Sequence, residues 1–352
     1  EFMAAYEKKT GDYVLAIPHN GNLSNGIMFA PKRISGKPFN RTYAETRANW
    51  EPVYEVTQIK GDGEAHPFLS PNDEFAGYEL WDKGNLDMSQ KKSNDMLQYE
   101  YAREALKNGL YIGAKIGTNP FKFGMVGSTD SHTSLATAAE ENFFGKHSGK
   151  EPSDHRWNKP VLATPAGDVM GWEQVSSGLA AVWAAENTRE AIWDAFNRKE
   201  VYATTGSRIL VRIWGGWNFT AADAANRLPG ETGYAKGVPM GGDLHKAPRG
   251  KAPTFLVGAL KDPMSGNLDR IQIVKGWLDK KGNTQEKVYN VVWGDAHRRK
   301  LEKNGKLPPV GNTVDVKNAS WTNNIGDPEL ITVWADPDFD PAQRAFYYAR
   351  VI

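Results

Sequence analysis

The first 207 residues alternate between short apolar runs and longer segments in which apolar residues recur at helical spacing. Short apolar runs bounded by Gly, Pro or Asp are typical of buried strands, and the longer spacing is typical of helices. We therefore predict an α/β domain with parallel strands over residues 1–207, and a long irregular segment over residues 21–50. The predicted helices are 2–9, 95–108 and 188–199, and the predicted strands are 13–17, 53–59 and 123–128.

The pattern changes after Arg208, where β-prone runs follow one another without a convincing helix. Gly, Pro, Asp and Asn separate these runs, as is typical of an all-β domain with short connections. We predict a β-rich, β-sandwich-like domain over residues 208–352. The predicted strands are 209–217, 254–260, 268–277, 287–293 and 330–334.

Composition narrows the possible functions. The 352 residues include no Cys, which excludes thiol nucleophiles, disulfides and thiolate metal sites, so any bound metal would use His and carboxylate ligands. The net charge of +1 gives no general electrostatic footprint for nucleic acid, and we expect no nucleic-acid partner. No apolar run approaches the roughly 18 residues of a membrane span, so we expect no transmembrane segment.

The sharpest local motif is the strand end at residues 127–132, where Asp130 and His132 are separated by one residue. Alternate residues of a strand point to the same side, so this spacing places both side chains on one face. In α/β enzymes the carboxyl ends of parallel strands carry the active site. A carboxylate and an imidazole there can bind a divalent metal ion. The alternative is an Asp that caps the next helix beside a solvated His.

Two other predicted strands add candidate metal or catalytic groups. His19 and Asn20 directly follow the apolar run 13–17, and a second strand-end histidine strengthens the metal hypothesis. Glu55 shares one face of the run 53–59 with apolar neighbours, so its carboxylate needs a partner or a metal ion if it is buried. A core histidine and an edge-strand glutamate in water are the alternatives.

The segment after the second strand contains a cation, an acid and an imidazole. Lys60 could hold an anionic oxygen, and Glu64 or His66 could transfer protons. A polar turn explains the same residues equally well. Arg208 follows the predicted strand that starts at Val201, where it could bind phosphate, sulfate or carboxylate, or form a salt bridge between domains.

Several longer segments resemble the DUF3604 protein family, which is related to the PHP (polymerase and histidinol phosphatase) metal-dependent hydrolases. The resemblance covers essentially the whole chain and follows one order of motifs. The matching segments are 16–20, 54–61, 69–75, 127–132, 178–184, 202–208 and 272–277.

The resemblance implies a PHP-like, distorted (βα)7-type barrel whose strand ends bind about two or three divalent metal ions. It matches His19 to a histidine after a late-middle strand, and Asp130 and His132 to the closing Asp-x-His pair. Glu55 matches an acid in an intervening strand, without an assigned role. The family's opening Asp-Leu-His-x-His-Thr segment is missing. The resemblance therefore implies that the other metal ligands come from a separate N-terminal fragment of the same protein.

These features lead to a functional hypothesis. We expect a metal-dependent hydrolase that uses metal-activated water to cleave a small anionic ester, a phosphate or sulfate monoester or diester, with Zn, Mn or Fe as cofactor. The alternatives are a binding protein that holds an anionic sugar or lipid in the same cleft, and a non-catalytic structural partner. Relatives that look exported favour a periplasmic or secreted protein, and a cytoplasmic one stays open. The candidate catalytic residues are Glu55, Lys60 and His66, the candidate substrate-binding residues are Asn20, Glu64 and Arg208, and the candidate metal ligands are His19, Asp130 and His132.

Overall fold

A computed structural model describes residues 2–134, 145–147, 149, 151–165, 167–174 and 178–352. The chain divides into two compact units, Glu1–Gly206 and Ser207–Ile352. Within the described residues, no helix is both long enough and apolar enough to cross a membrane, as the sequence predicted. Each unit has its own hydrophobic core, so we describe the two units separately.

The first unit contains helices and short strands. Its helices are α1 (Phe2–Thr10), α2 (Arg41–Trp50), α3 (Asn94–Leu97), α4 (Ala102–Ile116) and α5 (Arg189–Asn197). Its strands are β1 (Val53–Gln58), β2 (Gly61–Asp62), β3 (Gly124–Gly127), β4 (Pro160–Thr164), β5 (Gly167–Met170), β6 (Leu179–Val182) and β7 (Val201–Thr204).

The first unit is organised around one parallel strand pair. β1 pairs with β3 in parallel and with β2 in antiparallel orientation. β6 and β7, which pair in antiparallel orientation on either side of α5 in the chain, approach the end of β3 closely. A Cβ atom at Gly127 would lie 2.8 Å from the carbonyl oxygen of Leu179 and 3.0 Å from that of Thr204. Glycine at this position therefore lets the paired strands β6 and β7 lie close to the end of β3.

The core of the first unit fixes β1 from the side of α4. The small residues Ala102 and Ala105 of α4 share one buried cluster with Tyr54 of β1. Phe29 belongs to the same cluster, and its ring meets Phe121 edge to face with ring centroids 5.4 Å apart. The strand that carries Glu55 thus rests on a closely packed layer.

The predicted (βα)7-type barrel is wrong. Among the described residues, parallel pairing of strands is limited to β1 with β3. β4 pairs with β5, and β6 pairs with β7, in two small antiparallel sheets. A barrel of this kind needs a closed ring of parallel strands, each followed by a helix. The first unit is instead a mixture of helices and small separate sheets.

The predicted strand at residues 13–17 does not form. The segment runs beside β1 and joins the rest of the unit through two backbone hydrogen bonds. The amide of Ala16 donates to the carbonyl of Trp50 at 2.7 Å, and the amide of Glu55 donates to the carbonyl of Pro18 at 3.0 Å. Two isolated bonds position the segment without making it a strand of the sheet.

Two predictions about where helices form also need correction. The segment 21–50, predicted to be irregular, contains α2. Asn40 caps this helix by accepting a hydrogen bond from the amide of Tyr43 at 2.9 Å, and Arg41 pairs with Glu45 one turn later. The predicted helix 95–108 is divided, because α3 ends at Leu97 and α4 begins at Ala102.

The second unit consists mainly of antiparallel strands, which confirms the prediction of a β-rich domain. One sheet has the strand order β15-β10-β8-β9, and another has the order β12-β11-β16. The strands are β8 (Leu210–Gly216), β9 (Gly237–Pro239), β10 (Thr254–Leu260), β11 (Arg270–Leu278), β12 (Thr284–Trp293), β13 (Val314–Asp315), β14 (Ser320–Trp321), β15 (Glu329–Ala335) and β16 (Ala345–Val351). The helices are α6 (Ala221–Ala224) and α7 (Pro229–Lys236).

The two larger sheets of the second unit share one core. Phe255 and Val257 of β10 lie in the same buried cluster as Ile271 and Ile273 of β11. The central strand β11 is buried along nearly its whole length, because β12 and β16 flank it on both edges. Two sheets that bury their facing apolar side chains in this way form a layered β structure.

Candidate functional site: a charged cluster at the end of strand β3

The parallel register of β1 and β3 brings two predicted site segments together. Glu55 lies opposite Val126, and Thr57 lies opposite Gly127, with a register shift between the two pairs. The amide of Ser128 donates to the carbonyl of Thr57 at 3.1 Å, which continues the pairing just beyond β3. The register therefore places Glu55 next to the segment that leads to the Asp-x-His motif.

Glu55 is fixed by one hydrogen bond and keeps one oxygen free. The hydroxyl of Ser128 donates to Oε2 of Glu55 at 2.6 Å. The other oxygen, Oε1, is buried and has no hydrogen-bond partner within the described part of the chain. A buried carboxylate oxygen without a donor is costly unless a ligand or metal ion completes it.

Asp130 collects three polar groups at the strand end. Its Oδ2 contacts the ammonium groups of both Lys60 and Lys146. Its Oδ1 lies 3.1 Å from Nε2 of His132. The backbone of Asp130 is left-handed, with φ of 46°. Residues other than glycine adopt this conformation mainly where surrounding contacts hold them. The predicted pair of Asp130 and His132 is therefore in contact, joined by two lysines.

Lys146 is the residue that sequence analysis missed. The amide of His132 donates to the carbonyl of Lys146 at 2.7 Å, so the segment that contains this lysine lies against the strand end. The ring of His147 meets the ring of His132 edge to face, with centroids 5.0 Å apart. The Lys146 side chain is buried. No sequence motif marks this lysine, because it lies 16 residues after Asp130 and only the folded chain brings the two side chains into contact.

The charged cluster consists of Lys60, Asp130, His132 and Lys146. Two ammonium groups contact one carboxylate in it, so Asp130 can fully compensate only one of the two charges. Burial and the neighbouring Lys146 ammonium lower the pKa of Lys60 to about 7, against the attraction of Glu55. Burial lowers the pKa of Lys146 to about 8, although its contact with Lys60 and the charge of Glu55 oppose the shift. Partial burial and the two lysines also lower the pKa of His132. The lysine pair therefore releases a proton close to neutral pH.

Buried amides hold the backbone of Lys60 from both sides. The amide of Lys60 donates to Oε1 of Gln58 at 2.7 Å, and its carbonyl accepts from Nδ2 of Asn22 at 3.0 Å. Gln58 in turn donates to Oδ1 of Asn20 at 3.0 Å. Asn20, a predicted substrate-binding residue, is thus linked to the cluster through Gln58.

His19 lies between two residues that contact β1, but its own side chain is exposed. Its neighbours on both sides are attached to β1, Pro18 through the amide of Glu55 and Asn20 through Gln58. Within the residues that the structure describes, the His19 side chain makes no hydrogen bond or ion pair. Its role as a metal ligand stays a prediction.

Glu64 and His66 take part in other contacts. The Glu64 carboxylate accepts from the buried Arg103 guanidinium at 2.7 Å. Nε2 of His66 lies 2.9 Å from the Asp82 carboxylate, while Nδ1 accepts from the amide of Phe68 at 3.1 Å. The hydrogen bond with His66 lowers the pKa of Asp82. These contacts place both residues in ion-pair and hydrogen-bond networks that stabilise the loop after β2.

Arg208 belongs to the second unit, where it is exposed. Its backbone amide donates to Oδ2 of Asp262 at 2.6 Å. The proposed anion-binding role of its guanidinium stays a prediction.

The donors at the strand end suit a metal ion in type. Asp130, His132 and the unpartnered oxygen of Glu55 combine the carboxylate and imidazole groups that Zn, Mn and Fe accept. Among the described residues, however, no group of three or more His, Asp or Glu side chains is arranged to hold a metal ion. The chemistry of the donors fits, and the set within the described residues is incomplete.

The similarity of this chain to known proteins lies at the level of its family. No curated protein and no solved structure matches it. No comparison links it to the PHP hydrolases, so that relationship stays a prediction. The family described as "Protein of unknown function (DUF3604)" matches residues 1–352, and the chain therefore belongs to the DUF3604 family.

Proposed function

We propose that this chain contributes the catalytic centre of a metal-dependent hydrolase that cleaves a phosphate or sulfate ester. The observation that supports the proposal is the convergence of two buried lysines and His132 on Asp130 at the end of β3. Ester hydrolysis needs groups that bind the anion, activate water and transfer protons. A single strand end here offers a candidate for each of these tasks.

A divalent ion would be held by Asp130 and His132, which are in contact at the strand end, with its further ligands coming from outside the described residues. Such an ion, when bound, lowers the pKa of a coordinated water and offsets charge on the ester oxygens. Zn, Mn or Fe matches these donors best. The relationship to the PHP hydrolases is part of this proposal, since it rests on the same strand-end motifs.

The two lysines would hold the anionic oxygens of the ester. A buried ammonium group attracts an anion more strongly than an exposed one, because little water screens it. Lys60, whose pKa is lowered to about 7, can also accept or give a proton near neutral pH. Gln58 and Asn22 keep its peptide in place through buried hydrogen bonds.

The test is an assay of the purified protein on an aryl phosphate and an aryl sulfate, together with elemental analysis for bound metals. We expect turnover of at least one ester, and a loss of at least about a hundredfold in the His132→Ala variant. His297→Ala is a matched control, since His297 is an exposed histidine of the second unit. It is expected to keep full activity.

Three outcomes would contradict the proposal. These are a metal-free protein that stays fully active, full activity in His132→Ala, and no turnover of either ester by metal-loaded protein. If inorganic phosphate binds at the cluster while no ester is cleaved, a non-catalytic binding protein for anions is the better description.

A further inference from the structure

The second unit contains a cavity of about 440 Å³ that is separate from the residues discussed so far. Residues 247–252 form one wall, and residues from 336 to 341 form the other. The volume falls within the roughly 300 to 1,000 Å³ that small-molecule sites occupy. Much of the surface is apolar and stiff, because Pro248, Pro337, Phe339 and Pro341 line it.

Buried contacts hold the wall formed by residues 336–341 in place. The Lys275 ammonium donates to the Asp336 carboxylate at 2.6 Å, and both side chains are almost fully buried. The amide of Asp336 donates to the carbonyl of Pro253 at 3.1 Å, which ties the second wall to the end of the first. The ring of Phe339 meets Trp217 edge to face, with centroids 5.9 Å apart. A ligand would therefore meet one wall that is already held in place.

The acidic side chains around the cavity are neutralised. Every acidic residue between positions 336 and 340 has a lysine partner from another part of the second unit. The pairs are Asp336 with Lys275 at 2.6 Å, Asp338 with Lys287 at 2.5 Å and Asp340 with Lys280 at 3.5 Å.

The basic side chains of the cavity lack such compensation. Arg249 lines the cavity, is exposed, and has no ion pair or hydrogen bond in the part of the chain that the structure describes. Lys251 contacts the side-chain oxygen of Asn218, which carries no charge. The cavity thus combines two uncompensated positive charges with an apolar lining.

We propose that this cavity binds an anionic saccharide, with the carboxylate or sulfate group of the sugar on Arg249. A guanidinium matches both anions because it can donate two parallel hydrogen bonds. The apolar face of a sugar ring fits against Phe339 and the proline rings, as flat C–H surfaces do on aromatic and apolar side chains. Lys251 lies on the same wall and supplies a second positive charge.

The test is calorimetric titration of the full chain with three disaccharides (digalacturonate, a sulfated chondroitin disaccharide and neutral maltose) and with a tripeptide that has a free carboxylate. We expect at least one of the two anionic sugars to bind and maltose not to bind, and the two anionic probes distinguish a carboxylate from a sulfate ligand. Arg249→Gln is expected to weaken binding by about tenfold or more, which corresponds to one lost charge-assisted contact. Arg227→Gln is the matched control, because Arg227 is an exposed arginine of the same unit that does not line the cavity.

Four results would overturn the proposal. Binding of neither anionic sugar removes its basis, and equal binding of maltose shows that charge plays no part. Equal affinities of Arg249→Gln and Arg227→Gln place the ligand elsewhere. Equal binding of a tripeptide with a free carboxylate assigns the cavity to peptides instead of saccharides. Because Arg249 is exposed and unpaired, circular dichroism of the variant should match that of the wild type.

Discussion

Replacing Lys146 with Gln should change how the stability of the protein depends on pH. In the wild type, Lys60 and Lys146 share the carboxylate of Asp130, and the pKa of Lys60 is lowered from 10.5 to about 7. A basic group with a lowered pKa in the folded state binds fewer protons there than in the unfolded chain. Stability therefore rises with pH between about 7 and 10.5.

The size of the effect follows from the same shift. For Lys60 alone, the free energy of unfolding rises by about 2 kcal/mol between about pH 7 and pH 9. Burial is the largest cause of this shift, and repulsion by the Lys146 ammonium is the second. In Lys146→Gln this repulsion is absent and Asp130 serves Lys60 alone. The pKa of Lys60 should move part of the way back up, and the rise in stability between about pH 7 and pH 9 should be smaller than in the wild type by about 1 kcal/mol or more.

The measurement is urea-induced unfolding of both proteins at several pH values across this window. The second unit is identical in the two proteins, so the difference between their pH profiles isolates the lysine pair. Lys91→Gln, which removes an exposed lysine of the first unit, should behave as the wild type does. Equal pH dependence in wild type and Lys146→Gln would refute the reasoning that the two lysines compete for one carboxylate.

Two further predictions concern buried ion pairs. Asp336→Ala should lower the free energy of unfolding by about 3 to 5 kcal/mol in urea titrations, because Lys275 would stay buried without a counter-charge, whereas removing the exposed Lys280 should cost less than about 1 kcal/mol. Arg103→Met should destabilise the first unit by about 3 kcal/mol or more, because it leaves the carboxylates of Glu64 and Asp73 without the buried guanidinium that binds both. Losses below about 1 kcal/mol in either variant would show that water reaches these groups.

The local elements of the first unit were more predictable than their assembly. The apolar runs that became β1 and β3 are visible in the sequence, and so is the helix that became α5. The barrel was expected from the resemblance to the PHP hydrolases, and it was wrong because most strands of the first unit pair in small antiparallel sheets. The helix α2 was missed because a polar cap and an ion pair between Arg41 and Glu45 support it, with little apolar patterning.

The candidate site could be predicted only in part. The spacing of Asp130 and His132 indicated a shared position, and the two side chains are in contact. Glu55 was a candidate from its strand face alone, and the structure shows that parallel pairing of β1 with β3 brings it next to the segment that leads to Asp130. Lys146 carries no local signal, since a buried lysine on a distant segment looks like any surface lysine in the sequence. His66 matched a catalytic pattern by type, and its contacts are with Asp82.

The central claim is that the cluster at the end of β3 hydrolyses an anionic ester with the help of a divalent ion. Release of phosphate or sulfate from an aryl ester, measured before chelation, after chelation and after return of the metal, tests it most directly. The account predicts turnover that chelation abolishes and that Zn, Mn or Fe restores in the wild type but not in Asp130→Asn. Full turnover in the chelated protein, or equal restoration in the variant, would contradict it.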